Sequence, residues 1–304
     1  RPKTAERPGS DPGGHGGIAE MLGALPEPKQ ARLDKPFAMI VTGVGGTGVV
    51  TISAVLAQAA HNAGLGFGSI DMTGLAQKGG AVACHMRIAA NSEAINAIRV
   101  GVGSADLIIG GDLVVTAANK VLDTVKLDQT AVVYSTYEMT TGDFTRKPDL
   151  TVPGAALRAH IGERVRRGPC HAIDAHAYAE RLFGDSIYSN MLLLGLAYQL
   201  GHVPIPAAAI EEAIELNGAA VETNRQAFRF GRLAAHDLAA LERLAGGAVK
   251  IPETAPRSLA EIVAFRAAHL AAYQDDNLAR VYRARVDAIA ALEQLHAPGR
   301  TALA

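Results

Sequence analysis

Short unbroken apolar runs alternate with longer stretches whose apolar positions recur at helical spacing, and this order begins at Phe37. Phe37-Ala-Met-Ile-Val-Thr42 runs straight into glycine, the pattern of a parallel strand buried on both faces. Thr47 to Ala63 is rich in Ala and Val and free of Pro, which predicts a buried helix. Further strands are expected at Gly66–Asp71, Ala81–Ile88, Ala105–Gly111, Thr130–Thr136 and Cys170–Asp174. Helices are expected at Val114–Val125, Ala175–Phe183 and Ser186–Leu200, and a further one opens at Pro206 and closes at Asn217-Gly218. Strands alternating with helices predict an α/β, Rossmann-like, doubly wound and mainly parallel sheet.

The ends of the chain read differently. Residues 1–35 lack sustained periodicity beyond a short helix around Ile18–Leu25, and Arg7 to Gly17 has the Pro/Gly composition of an interdomain linker. With Arg1 in place of an initiating Met, the expectation is a piece of a longer polypeptide. Past Gly246-Gly247, Pro252 and Pro256, Ser258-Leu-Ala-Glu261 has capping-box spacing and predicts the start of a long helix. Its apolar stripe, Leu259, Ile262, Val263, Leu270, Tyr273, Val281, Val286, Ile289 and Leu292, needs burial either on its own domain or on a neighbour. The expected division is a linker at 1–35, an α/β domain at 36–232 and a helical extension at 233–304.

Composition narrows the partners. A net charge of -1 with 49% apolar residues describes a soluble protein without the electrostatic excess that holds nucleic acid or an anionic membrane. Two cysteines, Cys84 and Cys170, exclude a disulfide framework and a four-thiolate iron–sulfur cluster built by this chain alone. The most apolar stretch, Met191 to Tyr198, is far short of the roughly 20 residues that span a bilayer, and no signal peptide opens the chain, so a cytoplasmic location is expected.

The candidate chemistry lies in two loops. Gly43-Val-Gly45-Gly46-Thr47-Gly48 matches G-x-G-x-x-G between a strand and a helix, where glycines permit a tight turn and let an anion approach the helix amides. Asp71 ends the next strand, about where an acidic residue meets a ribose hydroxyl in a dinucleotide enzyme. NAD binding and a ligand-free tight crossing both satisfy this pattern. The second loop brings Gln77, Lys78, Gly79 and Gly80. In the strand after it, alternation sends Val82, Cys84, Met86 and Ile88 to one face, and Ala83, His85 and Arg87 to the other. Lys78, His85 and Arg87 together would make an anion patch; a salt bridge of Arg87 to Asp112 is the alternative. Cys84-His85 and Cys170-His171 do not make a metal site, because adjacent strand residues point to opposite faces. No nucleophile, base and orienting acid stand at a recognisable spacing, so no catalytic residue is assigned.

Val41-Thr-Gly-Val-Gly-Gly-Thr-Gly-Val-Val-Thr51, Asp71-Met-Thr-Gly-Leu-Ala-Gln-Lys-Gly-Gly-Ala-Val82 and His85-Met-Arg-Ile88 together closely resemble the gamma region of 2-oxoacid:ferredoxin oxidoreductases, nearest to the fused bacterial indolepyruvate enzymes. Asn190, Leu194-Gly195, Asn224, Ala227-Phe228 and Gly231 match later landmarks of that family, and a weaker likeness runs on through Arg266 to Tyr282. The resemblance implies oxidative decarboxylation of an aryl pyruvate such as indolepyruvate to the acyl-CoA, with electrons passed to ferredoxin. It places thiamine diphosphate, Mg and iron–sulfur clusters in other parts of the whole enzyme, because this chain has no Gly-Asp-Gly thiamine motif. The chain is then an inactive component of an oligomer that packs beside thiamine-binding and ferredoxin-type domains. Coenzyme A would meet its two loops and Arg87. The alternatives are an autonomous NAD-type module and a ligand-free interaction domain.

Overall fold

The computed structural model describes residues 14–73, 80–139, 152–247, 258–296 and 298. Residues 13–249 make one compact unit, and the helices beyond 258 belong to a second. The first unit therefore runs past residue 232, where the sequence pattern suggested a boundary.

The sheet has six strands, β1 (Phe37–Val44), β2 (Gly66–Thr73), β3 (Ala81–Ala89), β4 (Leu107–Gly110), β5 (Ala131–Ser135) and β6 (Cys170–Ile173), in the order β2-β3-β1-β4-β5-β6. β1, β4, β5 and β6 are mutually parallel, whereas β3 runs antiparallel to both β1 and β2. All eight residues of β1 are buried, as its unbroken apolar run requires for a strand covered on both faces. One face carries Met39, Val41, Cys84 and Met86 against α2 (Val49–Asn62), α7 (Ser189–Gln199), α8 (Ala207–Asn217) and α9 (Val221–His236). The other carries Ala38, Ile40 and Ile108 against the short helices α3 (Leu113–Thr116) and α4 (Asn119–Leu122) and against α5 (Gly154–Val165). This is the doubly wound arrangement that the element order predicts.

Several helices differ from the pattern. The single helix expected at 114–125 is two, split after the Thr116 hydroxyl bonds back to the Asp112 carbonyl. α5 carried no usable stripe, since Gly154, Ile161 and Val165 alone are buried among its residues. α6 (Ala175–Phe183) has the expected limits, and α1 (Gly14–Gly23), α9 and α10 (Leu238–Leu244) complete the unit.

α7 and α9 cross at two glycines. A Cβ on Gly195 would lie 1.9 Å from the Phe228 carbonyl oxygen, and one on Gly231 would lie 1.9 Å from the Leu192 carbonyl oxygen. Backbone therefore meets backbone at this crossing, and only glycine fits at either position.

In the second unit Ser258 and Glu261 do form the capping box, but the expected long helix is broken. α11 (Leu259–Tyr273) and α12 (Asp276–His296) pack on each other, and the Asp275 carboxylate restarts the helix by accepting the Leu278 amide at 2.8 Å. Ala267, Ala279 and Glu293 are buried there, while Ile262, Tyr273, Val281, Ile289 and Leu292 of the apolar stripe are exposed, as are Phe265 and Leu295.

Candidate functional site

The carboxyl ends of β1, β4 and β5 lie side by side, and the chain reverses its winding direction between β1 and β4, the place where open α/β sheets hold their ligands. The turn Gly43–Gly48 leaves β1 here. Gly43 is closed in by Val49, whose Cγ2 would lie 2.8 Å from an added Cβ. The Gly45 amide donates to the Gly80 carbonyl at 2.7 Å, which ties the first turn to the far end of the second loop. Gly46 and Gly48 sit at φ +94° and +88°, a region that glycine enters freely, and nothing lies within 4 Å of an added Cβ at Gly46. The Thr47 hydroxyl closes the turn onto the Val44 carbonyl at 2.7 Å. Gln77, Lys78 and Gly79 lie outside the described residues. The loop they belong to joins β2 to β3, so it starts and ends at this same end of the sheet.

Asn190, on the first turn of α7, bridges the site. Its Nδ2 donates to the Thr47 carbonyl, and its Oδ1 lies 3.1 Å from where a Gly111 Cβ would stand. Asn190→Ala is expected to destabilise the unit by about 1–3 kcal/mol, the cost of a buried polar partner lost. Hydrogen exchange should quicken at Thr47 and Gly48 while α5 stays protected; unchanged protection at the turn would remove this role.

Asp112 follows β4 and is 1% exposed. Its Oδ1 accepts the Val115 amide at 2.8 Å, whereas its Oδ2 is buried and meets no donor among the described residues. Burial pushes its carboxyl up to about 6, with the amides of Val115, Val114 and Val44 opposing. The Ser189 Oγ on α7 is likewise buried without a partner among the described residues. Beside them, the Ser135 hydroxyl and His176 Nδ1 stand 3.2 Å apart, and Tyr137 stacks on the imidazole at 4.2 Å. Burial lowers the His176 pKa, against the opposing charge of Asp174, and so favours the uncharged ring. Both side chains of this pair are buried, so it braces the ends of β5 and α6 rather than facing a substrate.

Two expected site residues stand elsewhere. Asp71 is not beside the glycine turn, because β3 lies between β2 and β1 and moves it about 10 Å from β1. It faces Cys84 across the β2–β3 register, and burial, then its hydrogen bond and charge, push that thiol well up. The geometry of a ribose contact next to β1 is therefore missing. Arg87 pairs with Ala38, six positions down β1 from Val44 and hence about 20 Å from the turn. It joins neither the loops nor Asp112, which lies at the opposite end of the sheet. His85 is a core histidine, its Nδ1 accepting the Val100 amide at 3.1 Å.

A family model for pyruvate ferredoxin/flavodoxin oxidoreductase matches residues 38–234. The chain belongs to the pyruvate ferredoxin/flavodoxin oxidoreductase family. A second model, for a family of unknown function, matches residues 259–304, which include α11 and α12. The indolepyruvate oxidoreductase subunit IorB of Archaeoglobus fulgidus is 28% identical over 197 residues, 64% of this chain and 92% of that subunit. Its counterpart in Pyrococcus horikoshii is 27% identical over 206 residues, 67% of this chain and 98% of that subunit. Among solved structures, the 2-oxoglutarate:ferredoxin oxidoreductase of Magnetococcus marinus, with 2-oxoglutarate, coenzyme A and succinyl-CoA bound, matches with a TM-score of 0.51 and 21% identity. That match covers 67% of this chain and 31% of the other, and it concerns the fold.

Within the family domain, the landmarks Asn190, Gly195 and Gly231 have structural tasks: Asn190 pins the glycine turn, and the two glycines seat α7, which carries it. Among the described residues no group of three or more His, Cys, Asp or Glu is placed to hold a metal, and no helix is long and apolar enough to cross a membrane.

Proposed function

We propose that this chain is the gamma-type component of a 2-oxoacid:ferredoxin oxidoreductase acting on indolepyruvate or another aryl pyruvate. The reaction is oxidative decarboxylation to the acyl-CoA, with ferredoxin taking the electrons. The observation that carries this reading is the Gly45–Gly80 bond, which ties the glycine turn to the residue just before β3, in a chain related over most of its family domain to indolepyruvate oxidoreductase subunits.

The same end of the molecule offers a contact face. Val50, Tyr137 and Ile187, each more than 40% exposed, lie at this end of the sheet, and the Ile187 carbonyl oxygen is 4.0 Å from where a Gly48 Cβ would stand. Apolar side chains around a rigid turn suit a neighbouring thiamine-binding domain better than bulk water. Thiamine diphosphate supplies the electron sink when bound by that neighbour. This chain's part is to seat the neighbour, exclude water from its cleft and shape the path of coenzyme A past Gly46. Cys84 lies in the core with its thiol pushed well up, so it is unsuited to ligate a cluster. Clusters and ferredoxin contacts then belong to other domains.

The test is an assay of viologen reduction with indolepyruvate, coenzyme A, thiamine diphosphate and Mg. The 304-residue chain alone should give no turnover, and the native assembly containing it should turn over. Turnover by the chain alone, or an equally active assembly from which the chain has been removed, would overturn the assignment. NAD binding by the chain would favour an autonomous nucleotide module instead.

A further inference from the structure

A cleft of about 410 Å³ opens at the end of the sheet opposite the glycine turn, a size that suits a small metabolite. It is lined by Lys35 before β1, Arg87 of β3, Asn96, Ser104 and Asp106 before β4, and Lys126 after α4. Lys35, Arg87 and Lys126 set three cations against one carboxylate. That carboxylate is already engaged: the Asp106 Oδ2 accepts the Ala38 amide at 2.8 Å and its Oδ1 lies 3.6 Å from the Lys35 ammonium.

Arg87 is half-buried, and its Nε is shielded from solvent with no hydrogen-bond partner among the described residues. A shielded guanidinium N–H without an acceptor is destabilising, and the side chain that carries it lines the cleft as a cation with hydrogen-bonding capacity unused. The neighbouring His85 cannot provide it, because its Nδ1 is taken by Val100. Burial, then Arg99 and Arg87, lower the His85 pKa, in keeping with a positive field at this end of the sheet. A guanidinium fork flanked by two ammonium groups fits a compact dianion with three equivalent oxygens better than a carboxylate of single charge. The volume exceeds that of the anion alone, and Asn96 and Ser104 offer an amide and a hydroxyl to the rest of a ligand.

We propose that this cleft binds a small phosphorylated metabolite through its phosphate dianion, at a site about 20 Å from the glycine turn. The site is independent of the catalytic role proposed above and stands or falls without it.

Calorimetric titration of the 304-residue chain at pH 7.5 and low salt, with inorganic phosphate, glycerol 3-phosphate and succinate as probes, tests it. Both phosphate probes should saturate, with glycerol 3-phosphate binding at least as tightly as inorganic phosphate. Arg87→Gln should weaken both by roughly tenfold or more, since it removes a charge-assisted hydrogen bond. Arg87 sits inside a strand, so the pair Lys35→Gln and Lys126→Gln, at positions outside the strands, gives a second test. It should weaken binding about as much with an unchanged thermal midpoint, while Asn190→Ala leaves binding intact. Absence of saturation by either phosphate probe, unchanged affinity in the lysine pair, or succinate binding as tightly as phosphate would each overturn the proposal.

Discussion

Gly231→Ala is expected to lower the unfolding midpoint by roughly 6–12 °C, the shift that about 3 kcal/mol produces in a unit of this size. Alanine ordinarily stabilises a helix over glycine by about 0.5–1 kcal/mol, so the sign itself is diagnostic. At position 231 the new methyl would stand 1.9 Å from the Leu192 carbonyl oxygen, and backbone cannot rotate out of the way as a side chain can. α7 and α9 must separate, and Leu192, Leu196 and Phe228 lose contact across the seam. Gly195→Ala meets the Phe228 carbonyl in the same way and should behave alike. Gly162 on α5 is the control, because nothing lies within 4 Å of its added Cβ and alanine there should be neutral or stabilising. Thermal unfolding of the three variants decides the matter; equal midpoints for Gly231→Ala and Gly162→Ala would show that the crossing tolerates separation.

The second large effect concerns pH. Folding raises the Asp112 carboxyl to about 6 from its ordinary 3.8, so the folded state favours the protonated form. The charge then costs stability fully above about pH 6, and that cost fades as pH falls through the window toward about 4. Asp112→Asn keeps an oxygen acceptor for the Val115 amide and cannot ionise. Urea unfolding of wild type and variant should therefore diverge with pH, the variant gaining about 2 kcal/mol on wild type between pH 4 and pH 7.5. A parallel pair of curves across that range would mean that the carboxyl ionises as freely inside the protein as outside it.

Much of the architecture could be read from the chain because local pattern and tertiary role agree there. The β1 run, the glycine turn and the alternation in β3 each follow from residues a few positions apart, and the structure keeps all three. Sheet order was not legible, since nothing in the apolar run of β3 shows that it pairs antiparallel between β1 and β2. That insertion is why the dinucleotide pattern at Asp71 misleads. Arg87 is different: the extended length of β3 already separates it from Gly80, so its removal from the loops was available from counting alone. The paired Ser135 and His176, 41 residues apart, and the unpartnered Oδ2 of Asp112 arise only when distant strand ends converge, and no spacing along the chain signals them. The break at Asp275 had a signal, an acidic residue able to cap Leu278, but a continuous apolar stripe outweighed it.

The clasp between Asn190 and the Thr47 carbonyl spans 143 residues of chain. During synthesis at about 5–20 residues per second, the glycine turn emerges on the order of ten seconds before its clasp does. Through that interval the nascent polypeptide carries an unfastened turn, and the turn is pinned only when α7 has left the ribosome and docked.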